Sequence, residues 1–193
     1  MPSGETDGKE AEMEKMMKLG YGKGVSLLLF LAMVLSVPVL AQAQSGAWTT
    51  VGSAGTVDEA DTSIVTMTGG VAAVSGAAAL PANLDIRYNV VAVEGLYDDC
   101  IKMAVRFKDN GANARVIVRL KQYSLETGIT TTMLTLDSNN FGSDALYQLQ
   151  SVATCNKSFN FGENAYFVEA TLTKTLAGGA PGLALIKIYT NPL

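Results

Sequence analysis

Apolar and polar residues alternate along much of this chain with a period of two, the spacing that turns one side of a β-strand toward a core. Over residues 84–90, Leu84, Ile86, Tyr88 and Val90 fall on one side and Asp85, Arg87 and Asn89 on the other. Over 101–108 the apolar set is Ile101, Met103, Val105 and Phe107, with Lys102, Ala104, Arg106 and Lys108 opposite. Asp109, Asn110 and Gly111 follow, and because Asn and Gly tolerate positive φ the run predicts a hairpin turn. The return strand, 115–121, then places Val116, Val118 and Leu120 inward and Arg115, Ile117, Arg119 and Lys121 outward.

Past a turn at Glu126, Thr127 and Gly128, a Thr-rich strand is predicted over 129–136 and a loop over 137–144. Further strands are predicted over 147–154, over 165–173 (Tyr166, Val168, Ala170 and Leu172 sharing a face) and, after a Gly/Pro-rich break at 177–182, over 183–190. Segments 48–51 and 63–67 add two short strands near the start. The small-residue run at 69–79 is read as an edge strand or a cover at one end of a sheet. No stretch sustains a helical period. The pattern predicts an all-β fold, an antiparallel β-sandwich of the jelly-roll kind with about eight or nine strands.

One segment breaks the alternation. Residues 25–43 are almost wholly apolar, Lys18 and Lys23 precede them, Pro38 interrupts them, and Ala41, Gln42 and Ala43 give the small–x–small pattern of a cleavage site. This is the layout of a secretory signal peptide, predicted as a helix over residues 1–43, with the single domain at 44–193. The alternative is a transmembrane anchor, against which stand Pro38 and the lack of any Lys or Arg from there to Arg87. Glu5, Asp7, Glu10, Glu12 and Glu14 make an acidic lead, so Met16 or Met17 is the expected true start. The expected location is extracellular or periplasmic, with no membrane contact after cleavage.

An oxidising compartment changes what two cysteines mean. Cys100 and Cys155 predict one disulfide closing a loop of more than fifty residues, worth roughly 4 kcal/mol by chain entropy. From residue 44 onward there are ten Lys or Arg against thirteen Asp or Glu, which argues against nucleic acid as a partner.

The chain has no histidine, which removes Ser-His-Asp and Cys-His nucleophile systems and histidine-ligated metals. No glycine-rich phosphate loop is present. Only carboxylates remain for catalysis (Asp58, Glu59, Asp61, Asp98, Asp99, Glu163 and Glu169), so the expectation is a protein that is not an enzyme, with a carboxylate-only hydrolase as the alternative.

Three candidate sites follow. If 101–121 is a hairpin, Lys102, Arg106, Lys108, Arg115, Arg119 and Lys121 form one basic strip, suited to an acidic polysaccharide or simply solvated beside acidic neighbours. Asp137, Asn139 and Asp144 offer clustered oxygen donors for Ca²⁺, though Asx-rich loops commonly cap their own backbone; no other cofactor is expected. Trp48 is a candidate sugar-stacking platform or, alternatively, a packed first-strand residue. The function expected is a secreted, non-catalytic structural or interaction protein, self-associating if residues 44–55 pair with a neighbour's sheet edge, the alternative being that this segment forms the first strand of its own sandwich. The alternative is a carbohydrate-binding module for an acidic or neutral polysaccharide.

Overall fold

The computed structural model describes residues 46–93, 95, 96 and 100–190, within a compact unit Ala43–Leu193. The predicted signal segment and its cleavage site, together with Tyr97, Asp98 and Asp99, lie outside the described residues. The strands are β1 (Ala47–Val51), β2 (Thr56–Val57), β3 (Val65–Thr68), β4 (Val71–Val74), β5 (Ala82–Val90), β6 (Ile101–Asp109), β7 (Ala114–Ser124), β8 (Thr130–Asp137), β9 (Asp144–Thr154), β10 (Asn164–Lys174) and β11 (Gly182–Thr190).

They form two antiparallel sheets. The first runs β3-β4-β11-β6-β9, with β1 also paired to β11; the second runs β2-β5-β10-β7-β8. From β4 onward the chain passes from sheet to sheet at nearly every connection. The cores β4-β11-β6-β9 and β5-β10-β7-β8 are the two halves of an eight-stranded jelly roll, so the all-β sandwich expected from alternation is what forms. Of the two strands beyond the nine, β2 was not expected and β4 comes from the small-residue run at 69–79.

The apolar sets meet between the sheets. Leu84, Ile86, Val116, Val118, Leu120, Val168 and Leu172 of the second sheet have no exposed surface, nor do Ile101, Met103, Val105, Phe107, Ile186 and Ile188 of the first. Each such burial contributes roughly 1.5–3 kcal/mol relative to exposure. Trp48 belongs to this core at 7% exposure, and Tyr88 donates from its hydroxyl to the Gly52 carbonyl at 2.6 Å, burial pushing its phenol pKa up.

Three local expectations are corrected. Strands β6 and β7 are not a hairpin: β6 lies between β11 and β9, β7 between β10 and β8. The Asp109-Asn110-Gly111 turn instead carries the chain between sheets, held because Asn110 Nδ2 donates to Gly178 O (2.7 Å) and its Oδ1 accepts from Ala180 N (2.6 Å). Second, β4 is no edge strand, since β3 lies outside it; Gly69 (φ +57°) and Gly70 (φ +84°) form the two-residue turn joining them, which needs positive φ at both positions.

Third, residues 47–51 are not an arm for a neighbour's edge but, as the alternative had it, the first strand of their own sandwich. They pair with β11 through five consecutive residues, and the chain then crosses β11 so closely at Gly52 that a Cβ there would lie 1.8 Å from the Leu183 carbonyl oxygen. The predicted disulfide is present, joining Cys100 and Cys155 just beyond the Ile101–Thr154 pair of β6 and β9.

Candidate functional site

Because successive side chains of a strand point to opposite faces, strand register determines what stands together on each outer surface. On the second sheet, Thr56, Arg87, Glu169, Arg119 and Thr135 form one row across all five strands. The row beside it is Asp85, Thr171, Ile117 and Asp137; on the other side stand Asn89, Phe167, Lys121 and Thr132. Tyr123 is one step further, opposite Ala165 and diagonal to Phe167.

A groove of about 470 Å³ lies over β2, β5 and β10, lined by Thr56, Asp58, Asn83, Asp85, Arg87, Glu169 and Thr171. Its side chains are held by one another. Thr171 Oγ1 donates to Asp85 Oδ1 at 2.7 Å, and Thr173 Oγ1 donates to Asn83 Oδ1 at 2.8 Å. Asp61 Oδ2 accepts from Asp85 N at 2.9 Å, tying the adjoining loop to β5. Glu169 lies 2.9 Å from Lys121 Nζ and 3.6 Å from an Arg119 nitrogen. Arg87 has no carboxylate within 4 Å among the described residues, leaving its donor fork free toward the groove. Along the same face come half-buried Phe167 and Tyr123, 39% exposed. Fixed planar polar groups beside aromatic surface can hydrogen-bond hydroxyls and stack on an apolar ring face.

The expected basic strip is divided between opposite surfaces. Arg115, Arg119 and Lys121 lie on the second sheet, where acidic neighbours meet them: Arg119 and Lys121 share Glu169, and Arg115 pairs with Asp137 through two hydrogen bonds, the Nε one at 3.0 Å. The Arg115 guanidinium holds the Asp137 carboxyl below its usual range, against the opposing effect of burial, with Asn139 N assisting at 3.1 Å. Lys102, Arg106 and Lys108 lie on the outer face of the first sheet, so Arg106 does not oppose Arg115, nor Lys102 Arg119. The direct like-charge pairs that the hairpin required do not exist.

Of the expected Ca²⁺ donors, Asp137 is engaged by Arg115 and Asn139 N, and Asp144 Oδ1 accepts from Leu146 N at 2.8 Å. Among the described residues no three acidic or cysteine side chains gather as metal ligands. Trp48, being buried, offers no platform. Alternation had marked Asp85, Arg87 and Asn89 as outward without saying what they would stand beside. Phe167 is the residue that the sequence reading missed as a surface aromatic; its odd position between inward Tyr166 and Val168 was the available signal.

No protein-family model matches the chain, and no curated protein sequence matches it significantly. Among solved structures it is similar to a family two carbohydrate esterase from Cellvibrio japonicus, at 10% identity and TM-score 0.41, covering 76% of this chain and 34% of that one. It is similar to the CBM36-1 domain of a multidomain xylanase from the hindgut metagenome of Trinervitermes trinervoides (15% identity, TM-score 0.42, covering 76% and 99%). A family 30 carbohydrate-binding module of a Clostridium thermocellum cellulosomal cellulase also matches (14%, TM-score 0.39, covering 77% and 94%). Similarity this distant leaves function to be argued from the chain's own residues.

Proposed function

We propose that this chain is a secreted, non-catalytic module that binds a polysaccharide along the outer face of its second sheet. The observation that carries the reading is the continuity of the polar groove at Asn83, Asp85, Arg87, Glu169 and Thr171 with the aromatic surface of Phe167 and Tyr123. An extended, hydroxyl-rich chain of rings is the ligand that uses both. A binding role is supported over hydrolysis because Glu169 is held by two cations and Asp85 by Thr171, roles that fix side chains as hydrogen-bonding partners. The disulfide and the signal-like sequence support an extracytoplasmic setting. Native electrophoresis through gels containing soluble neutral polysaccharides (glucomannan, arabinoxylan, mixed-linkage glucan) tests this: one or more retards the protein, and Phe167→Ala weakens the retardation. Equal mobility in every gel overturns it.

A second reading, self-association, is favoured by one edge. β2 has two residues and β3 four, and on β8 the Thr132 carbonyl accepts from Lys157 Nζ at 2.7 Å. β9, by contrast, is eleven residues long and from Ala145 to Thr154 carries no charge, Gly or Pro, with Leu146 75% and Leu149 59% exposed. Such an edge is a template for pairing with another strand. Light scattering across a concentration series should show a dimer that Leu149→Lys returns to monomer; a monomer at every concentration excludes it.

A further inference from the structure

Four of the domain's ten cationic residues stand on the outer face of the first sheet: Lys102, Arg106 and Lys108 on β6, and Lys187 on β11 opposite Ala104. Along β6, successive outward positions are about 7 Å apart. Lys187 fills the place beside Ala104, so the four charges form a nearly straight ladder of about 20 Å. None has a carboxylate within 4 Å among the described residues. The outward neighbours of Lys102, Arg106 and Lys187 are uncharged: Thr49 and Val51 on β1, Leu185 and Tyr189 on β11, and Leu149, Ser151 and Ala153 on β9; at Lys108 the pairing with β9 is bulged, and the exposed Asp144 stands opposite the adjacent Asp109. Tyr189 lies opposite Lys102, and Lys187 Nζ sits 5.1 Å from its ring centroid.

We infer that this face is a second binding site, for a linear acidic polysaccharide such as a polyuronate. A domain with more acids than bases has placed on one sheet face a row of cations that has no carboxylate partner among the described residues, while the opposite sheet gives a carboxylate to each cation of β7. Unpaired like charges self-repel, and an anionic polymer with charges at regular intervals relieves this at several points at once. The line of charges with a ring beside it suits a chain of acidic sugars better than a planar membrane, which would engage no particular direction on the sheet. This site is separate from the groove of the second sheet and does not depend on it.

The test is electrophoresis of the whole secreted chain through polygalacturonate gels, with mobility normalised to polymer-free gels, over a series of salt concentrations. The wild type is retarded at low salt and released as salt rises, because each neutralised polymer charge frees a counterion. Lys102→Gln/Arg106→Gln/Lys108→Gln, which breaks no ion pair among the described residues, should lower the steepness of log affinity against log salt by about 2. Arg115→Gln/Arg119→Gln/Lys121→Gln, an equal charge change on the other face, should leave the slope unchanged, with melting curves confirming that it is folded. Lys187→Gln alone gives a smaller loss. An unretarded wild type overturns the inference, as does equal loss in both triple variants, which would make the effect one of net charge. Stronger binding to vesicles rich in anionic lipid than to polygalacturonate at equal charge would reject the polysaccharide class. Retention on neutral polysaccharides is read separately through Phe167→Ala, and the Lys102/Arg106/Lys108 variant, on the opposite face, leaves it unchanged.

Discussion

On β7, Arg115, Arg119 and Lys121 each lie within 4 Å of a carboxylate, whereas on the opposite surface Lys102, Arg106, Lys108 and Lys187 have none among the described residues. The two faces share one core and alternate in the same way, yet on one the cations of β7 are neutralised beside aromatics and on the other the cations form an open ladder. Strand order makes the difference. β10 brings Glu169 between β5 and β7, and β8 brings Asp137 alongside β7, while β6 is flanked by β11 and β9, which place Leu185, Lys187 and Tyr189 and Leu149, Ser151 and Ala153 beside Lys102 to Arg106 and one acid, Asp144, only at the Asp109 end. A charge's role on a sandwich is therefore set by the neighbouring strands more than by its own.

The largest expected effect separates the sheets mechanically. The Cys100–Cys155 disulfide ties β6 to β9 within the first sheet and closes a separation of 55 residues. Replacing both cysteines with Ser should cost about 4 kcal/mol. Amide exchange should then rise along β9 before β8; uniform loss of protection in both sheets would count against the division. Next in size, Phe167→Ala should weaken neutral-polysaccharide retention about tenfold, roughly 1.4 kcal/mol, with little change in melting temperature. A large drop in melting temperature would instead assign Phe167 to packing.

A smaller change attacks the comparison itself. Glu169→Gln frees Arg119 and Lys121, so the second sheet should gain measurable retention on polygalacturonate at low salt while losing about 0.5–1 kcal/mol of stability. No gain would mean that unpaired cations alone do not bind the polymer. Smallest is the acid limb. Because Arg115 lowers the folded-state pKa of Asp137, their pair contributes stability above the unfolded value near 3.9, and the contribution is lost as pH falls through the folded value. With Arg115 partly exposed, the amount is well under 1 kcal/mol. Denaturation curves of wild type and Asp137→Asn should thus differ at neutral pH and converge below about pH 3.9; a difference that grew on acidification would contradict the assignment.

How much of this was legible in the sequence follows from what alternation encodes. It gave inward sets such as Leu84, Ile86, Tyr88 and Val90 correctly, because burial imposes a period of two wherever one face meets a core. It could not say which sheet a strand joins, since the outward residues of either sheet look alike. The Asn110-Gly111 signal was a real turn, but the amide bonds of Asn110 to Gly178 and Ala180 fix it as a crossing between sheets, and those partners lie some seventy residues away. The same non-local pairing hid the groove. Arg87 and Glu169 are 82 positions apart and meet only because β5 and β10 are neighbours. The acidic partners of Arg115 and Lys121 were anticipated in kind, as a solvated face with Asp or Glu alongside, without the residues being named.

The most direct measurement is amide chemical-shift mapping of the labelled domain titrated with oligosaccharides of whichever neutral polysaccharide retards it most. Binding along the second sheet predicts perturbations concentrated in residues 83–89, 119–123 and 165–173, with β6 and β11 silent. Perturbations centred on Lys102, Arg106 and Lys187, or no shifts at saturating oligosaccharide, would contradict the proposed site.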